Sequence, residues 1–270
     1  MTLSQAPIAE GTIKVEWDYT DRAKHYDKRA DYSEKVIDDI IAALGGVPDD
    51  AVGDVGAGTG KLTKLLLARG LTVQAVEPNG EMRKFGIENT LSYVPSAHIS
   101  WRAGTGEQTA LATASAAAVF FGSSFNVVDR AATLKEAARV LQPQGSFCCM
   151  WNHRVLDDPI QAQIENVIKN RVKNYEYGTR REDPTADILK SNLFGNVRNF
   201  EGQFVADMQT KDVVEAWQSH ATLQRQVGSN HEFASLVAEI SEVVESASQD
   251  GVIPVPYVTR AWLADLIASA

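Results

Sequence analysis

The chain has 270 residues, 44% hydrophobic and 23% charged, enough apolar content for one large domain or a core with a cap. Lys and Arg number 26 against 35 Asp and Glu, a formal charge of −9. That excludes a nucleic-acid backbone as the main substrate, which would need a basic stripe, and leaves the acidity to solubility or to a taste for neutral or cationic substrates.

In chain order, apolar spacing predicts a helix over 33–44, with Val36, Ile37, Ile40, Ile41 and Leu44 on one face, stopped by Gly45-Gly46. A buried strand at 51–55 runs into a glycine turn and a helix at 60–69 that Gly70 ends. Strands follow at 72–78, 98–104 and 116–124, with a short helix near 81–88 and another helix at 131–142. Pro143-Gln144-Gly145 turns the chain into a fifth strand, "SFCCMWN". Its neighbours Cys148 and Cys149 point to opposite faces as small apolar fillers, without the C-x-x-C spacing of a metal or redox site.

After residue 155 the pattern changes. A helix is expected over 159–173, a polar connector over 175–187, a strand over 196–208, helices over 211–223 and 231–247, and a final strand within 251–266. No apolar run reaches membrane-span length, and the first residues lack the composition of a signal peptide, so the expected setting is the cytoplasm, with no membrane partner.

Strands alternating with helices predict an α/β fold, a Rossmann-like doubly wound and mostly parallel sheet with helical cap and lid elements. Three parts are expected: an N-terminal arm with lid helices over 1–45, the Rossmann-like core over 46–155, and cap helices plus final strands completing the sheet over 156–270. Ligands in such sheets lie beyond the C-terminal strand ends, near the reversal of strand order.

The turn "AVGDVGAGTGKLTKLL" (51–66) is where a cofactor would sit. A triphosphate loop needs a glycine five positions before Gly-Lys and a Ser or Thr after it; Val55 and Leu62 fail both tests, leaving Lys61 an exposed first-turn lysine. A dinucleotide fingerprint needs a glycine at position 61, so the G-x-G-x-G of Gly56, Gly58 and Gly60 disfavours NAD. S-adenosylmethionine carries no phosphate. Three glycines allow close backbone approach, and Glu77, at the end of the second strand, is placed to accept both ribose hydroxyls.

The segments "DVGAGTGKLT" (54–63), "VEPNGEM" (76–82), "GTGEQTAL" (104–111), "FFGSSFNVVD" (120–129) and "LKEAARVLQPQGSF" (134–147) together resemble the class I S-adenosylmethionine-dependent methyltransferases. "YDKRADYSEKV" (26–36) is similar to a Y-x-x-x-R-P-x-Y-P segment of a small-molecule subgroup, with Ala30 and Ser33 in place of the prolines, and "MWNHR" (150–154) fits the same subgroup.

The resemblance implies that Gly56 and Gly58 line the methionine part of the cofactor, Glu77 holds the ribose, Met82 packs near the adenosine, and Gly106 and Glu107 lie by the adenine. Ser123 would sit near the methionine amine. Tyr26 and Arg29 would close over the cofactor, Arg29 facing its carboxylate; they read equally as a packing aromatic and a surface residue. A small-molecule acceptor is expected, a specialised metabolite by analogy, with a homo-oligomer left open and no metal.

Methyl transfer from a sulfonium needs alignment and dryness more than acid–base groups. His153, after the fifth strand, is the first candidate base, or else a surface-loop histidine. Asn126 stands where relatives often carry histidine; it would orient the acceptor, or is a plain turn residue. Tyr19, Phe125 and Trp151 are expected at an apolar acceptor wall, although aromatics are often core. Two rival readings are a cofactor-binding enzyme that does not methylate, such as a cyclase, and an NAD-dependent oxidoreductase.

Overall fold

The structure, a computed structural model, describes residues 23–46, 50–93 and 99–267. Tyr19 lies outside the described residues. Seven strands form one sheet: β1 (Val52–Val55), β2 (Val73–Val76), β3 (Ile99–Arg102), β4 (Ala116–Gly122), β5 (Leu141–Arg154), β6 (Phe194–Gln209) and β7 (Val252–Leu266). Their order is β3-β2-β1-β4-β5-β7-β6. The first five pair in parallel, and β7 runs antiparallel to both β5 and β6. Strand order reverses between β1 and β4, which opens a cleft at their C-terminal ends.

Strand alternation builds two cores. Phe120, Cys148 and Met150 face one side of the sheet, where Val36 and Ile40 of α2 (Glu34–Ala43) and Leu62 and Leu66 of α3 (Lys61–Leu67) cover them. Phe121, Phe147 and Cys149 face the other side, under Leu134 and Ala137 of α5 (Arg130–Val140). The adjacent cysteines thus belong to opposite layers, as the period of two predicts. Between β2 and β3 lies α4 (Gly80–Thr90), capped by the Asn79 side chain, which accepts from Met82 N.

A third apolar cluster forms the cap. It joins α6 (Pro159–Arg171), α8 (Thr210–Gln218), α9 (Ala221–Val227) and α10 (Asn230–Ala247) through Ile164, Trp217, Leu223, Leu236 and Ile240, over Ile253 and Val255 at the start of β7. The helix expected over 211–223 is two helices. Ser219 Oγ donates back to Ala216 O, and His220 Nδ1 accepts Leu223 N at 3.3 Å, so one helix ends and another is capped within two residues. The connector 175–187 is shorter than expected, because a 3₁₀ turn at Thr179–Arg181 and the start of α7 (Thr185–Lys190) occupy it.

Candidate active site

The turn after β1 is held by its neighbours on both sides. Gly56 N and Ala57 N both donate to Val76 O, at 2.8 and 3.0 Å. Gly56 has φ +71°, and a Cβ there would lie 2.4 Å from Ser124 Cβ, so only glycine lets the end of β1 meet the end of β4. Ser124 Oγ completes that junction by donating to Val55 O at 2.6 Å.

Gly58 has φ +57° and faces Met82 and Tyr26; a Cβ would stand 3.3 Å from Met82 Cε. Its N–H donates to Glu77 Oε2 at 2.9 Å, while Asn79 N donates to Glu77 Oε1 at 2.8 Å. Burial pushes the Glu77 carboxyl up to about 7. Asp54, beneath the turn, is also raised by burial to about 7; Thr63 Oγ1 donates to its Oδ2 at 2.6 Å, and its buried Oδ1 has no partner.

Two connected spaces open from this turn. A groove runs past Glu77, Met82, Gly106, Glu107 and Asp129. A chamber continues on the cap side, walled by His153, Arg154, Arg180, Arg181, Trp217 and Tyr257. Tyr26, Gly56, Gly58, Ser123, Asn126 and Val127 line both, so the two spaces meet over the switch point.

The segment following α1 (Ala23–Tyr26) straps across this junction. Asn89 Nδ2 donates to Asp27 Oδ1 and to Thr59 O, Lys28 pairs with Asp212, and Arg29 donates to the Oγ and the carbonyl of Ser219. Tyr32 Oη donates to Ser123 Oγ at 2.9 Å, and Asn152 Nδ2 donates to Asp31 O at 2.7 Å. Ser123 itself has φ +57°, an unusual conformation for a residue with a side chain, at the C-terminal end of β4.

The structure brings nearly all of the expected described residues to these spaces. Glu107 spends one oxygen on Asp129 N, ahead of α5. Gly106 lets the chain pass Thr133 and Val128, each about 2.9 Å from where a Cβ would be. Asn126 Oδ1 accepts from Trp151 Nε1 at 2.8 Å; the indole only donates, so the amide orientation is fixed with its NH₂ as the remaining donor. Trp151 is buried and edge-on to Trp262; it lines the chamber and holds Asn126 through this tie.

Two expectations are corrected. Phe125 lines neither space; it is fully buried, with ring centroids 5.7 Å from Phe121 and 5.1 Å from Phe147, so it is core. Lys61 is not an exposed lysine: its side chain is mostly covered, and Nζ bonds Asp31 Oδ1 at 3.0 Å, holding the strap over the turn.

His153 does reach the chamber wall. Burial, reinforced by Arg181, Arg180 and Arg260, holds its imidazole down at about 3. Sequence reasoning missed Arg154, Arg180, Arg181 and Tyr257. The only signal was the "TRRED" run of the connector, which reads as a solvated charge cluster until the 3₁₀ turn aims it inward.

Residues 53–149 match a family model described as a methyltransferase domain. An uncharacterized methyltransferase of Mycobacterium tuberculosis is 36% identical over 129 residues, 47% of this chain and 48% of that protein. A ubiquinone/menaquinone biosynthesis C-methyltransferase of Caulobacter vibrioides is 31% identical over 173 residues, 57% of this chain and 66% of that one. The chain thus spans about half the length of the mycobacterial relative.

Among solved structures, the YcgJ protein of Bacillus subtilis covers 88% of this chain and all of its own, with TM-score 0.53 and 14% identity. A Haemonchus contortus phosphoethanolamine N-methyltransferase 2 in complex with S-adenosyl-L-methionine covers 91% of this chain and 57% of its own, with TM-score 0.53 and 12% identity. Residues 53–149 are thus a methyltransferase domain, set in a sheet with the fold of the class I S-adenosylmethionine-dependent methyltransferases.

The residues present suit that cofactor. The Glu77 oxygens each keep acceptor capacity for a ribose hydroxyl, the orphaned Asp54 Oδ1 suits an ammonium group, and the bare Gly58 leaves room between Met82 and Tyr26.

Proposed function

We propose that this protein transfers a methyl group from S-adenosylmethionine to an N, O or C atom of a small molecule held in the chamber. The observation that carries this reading is the continuity of groove and chamber across Gly56, Gly58 and Ser123, which puts a nucleoside side and an acceptor side on one axis. When bound, the sulfonium supplies an activated methyl carbon; the acceptor's lone pair forms the new bond as the carbon–sulfur bond breaks, and the electron pair leaves on sulfur.

The chain's own residues bind, orient and exclude water. Glu77 accepts the ribose hydroxyls, Met82 packs on the adenosine, Gly106 and the backbone beside Glu107 border the adenine, and Ser123 meets the methionine amine. Tyr26 and Arg29 close the strap over the junction. Asn126, fixed by Trp151, orients the acceptor. His153 is a neutral hydrogen-bonding group there, and its depressed basicity suits an acceptor whose lone pair is already free.

The acceptor is proposed to be a specialised metabolite, because the cap and the strap together border a concave chamber that continues from the groove. A thermal-shift panel tests the cofactor: S-adenosylhomocysteine should raise Tm clearly, and NAD and ATP should not. A rise with NAD alone would overturn the reading. A screen of acceptors with labelled methyl donor tests the transfer, and products that gain no methyl would favour a non-methylating enzyme instead.

A further inference from the structure

The chamber is strongly basic although the protein as a whole is acidic. Of its four arginines, only Arg154 has a carboxylate partner among the described residues, donating to Glu165 Oε1 at 2.7 Å and to Gln161 Oε1 at 3.0 Å. Arg29 is spent on Ser219 and on the Tyr26 ring, 4.2 Å below its guanidinium carbon.

Arg180 and Arg181 are different. Among the described residues, Arg180 Nη2 lies 3.2 Å from His220 Nε2, and Arg181 Nη2 donates to Arg154 O at 3.3 Å with its guanidinium over the Tyr177 ring. Their Nε atoms are buried without a hydrogen-bond partner, and no carboxylate among the described residues pairs with either side chain. Both histidines of the wall are kept neutral, His220 by burial and then by Arg180, Arg29 and Arg154, His153 by burial and then by Arg181, Arg180 and Arg260.

Unpaired guanidiniums with buried, orphaned donors are costly unless something brings an anion. The cofactor brings one carboxylate, but its sulfonium and ammonium outweigh it, so on balance it adds positive charge to the same space.

We infer that the methyl acceptor carries an anionic group, a carboxylate or a phosphate, that is taken up by Arg180 and Arg181 at the cap end of the chamber. The inference rests on the methyltransferase reading. Both side chains line the chamber, and the fork geometry of the two guanidiniums suits a planar or tetrahedral oxyanion. The neutral imidazole of His153, on the same wall, can turn a nitrogen toward the same anion. The net charge of −9 says nothing about this surface, since the local field is set by the groups a few ångströms away.

The experiment uses the full chain saturated with S-adenosylhomocysteine. Succinate, benzoate and phenyl phosphate are compared with benzamide and benzylamine in titrations and thermal shifts at constant ionic strength. The anions should bind at least tenfold more tightly than the amide or the amine. Carboxylates preferred over phenyl phosphate identify a carboxylate acceptor, and the reverse identifies a phosphate; either supports the assignment. Equal or stronger binding of benzamide or benzylamine, or no binding of any anion, overturns it.

A double substitution, Arg180→Gln with Arg181→Gln, should lose the anion preference at least tenfold while S-adenosylhomocysteine affinity stays within about threefold of wild type. Anion binding that survives the double substitution also overturns the assignment. If the double variant does not fold, Arg181→Lys serves: it keeps the charge, loses the fork, and should weaken anion binding severalfold. S-adenosylhomocysteine affinity is measured first on the wild type, so failure of the cofactor reading is seen separately from failure of the anion site.

Discussion

Gly58 donates its backbone N–H to Glu77 Oε2 at 2.9 Å, so the acid that closes β2 is bonded to the turn that closes β1. Glu77 also accepts Asn79 N at 2.8 Å, and burial raises its carboxyl to about 7. A ribose diol donates to the ionised form, and a proton on the carboxyl competes with it. Cofactor affinity should therefore be full above pH 7 and fall as pH drops through 7, by up to about tenfold per unit. Calorimetric titration with S-adenosylhomocysteine from pH 8 to pH 6 checks this. Glu77→Gln should bind about tenfold more weakly at pH 8 and show a flat profile. A wild-type affinity independent of pH over that range would remove Glu77 from the ribose site.

Buried titratable groups of opposite sign also bear on stability. Glu77 and Asp54 have raised folded-state values, each about 7, so their contribution is present at low pH and is lost as pH rises through 7. His153 and His220 are lowered, so the unfolded chain binds their protons first and their contribution is lost as pH falls through the ordinary histidine range. Between about pH 5 and pH 7 two protons are favoured by each state, and the effects oppose. The apo protein should show a nearly flat Tm there. His153→Gln removes one of the opposing groups, and its Tm should fall as pH rises, at up to about 1.4 kcal/mol per unit. A Tm of the variant that rises with pH would contradict the assignment of buried, protonated carboxyls beneath the turn.

The two glycines of the turn separate fold from binding. Gly56→Ala puts a methyl 2.4 Å from Ser124 Cβ, which is itself bonded through Oγ to Val55 O, so the switch point must open. Loss of folding, or a penalty above about 3 kcal/mol, is expected. Gly58→Ala meets only the flexible end of Met82 at 3.3 Å, plus the strain of φ +57°. Its cost should be about 1–2 kcal/mol, with S-adenosylhomocysteine affinity reduced at least tenfold. Chemical denaturation and ligand titration on both variants check the contrast.

The core was legible because periodicity and glycine spacing are local signals. The strands that carry the turn, Glu77 and Ser123 all appear as short apolar runs ended by small or acidic residues, and chain order then limits the topology. The cap was legible only in outline. The split at Ser219-His220 depends on two side chains choosing backbone partners, and Phe125 entered the core because Phe121 and Phe147 converge on it across the sheet. Arg180 and Arg181 could not be placed from sequence at all. A charged connector has the same composition whether it faces water or a chamber, and only the 3₁₀ turn at Thr179–Arg181 decides.

The strap offers the sharpest test of how the site closes. Asn152 Nδ2 holds Asp31 O, its Oδ1 accepts from Thr259 Oγ1, and Thr259 Oγ1 accepts Ser33 N at 2.8 Å, so one residue of β5 and one of β7 pin residues 31–33. Lys61 adds a half-exposed pair with Asp31, worth about 1 kcal/mol or less. Asn152→Ala removes two side-chain bonds and should loosen the strap. Trypsin should then cut at Lys28 or Arg29 several times faster in the apo protein, with protection restored by S-adenosylhomocysteine. The KM for S-adenosylmethionine should rise about threefold to tenfold while kcat changes less, since the chemistry lies on the other side of the turn. Lys61→Ala should raise that KM less than threefold. A collapse of cofactor binding in Lys61→Ala would mean that the lysine grips the ligand directly, and would return the turn to a phosphate-binding reading.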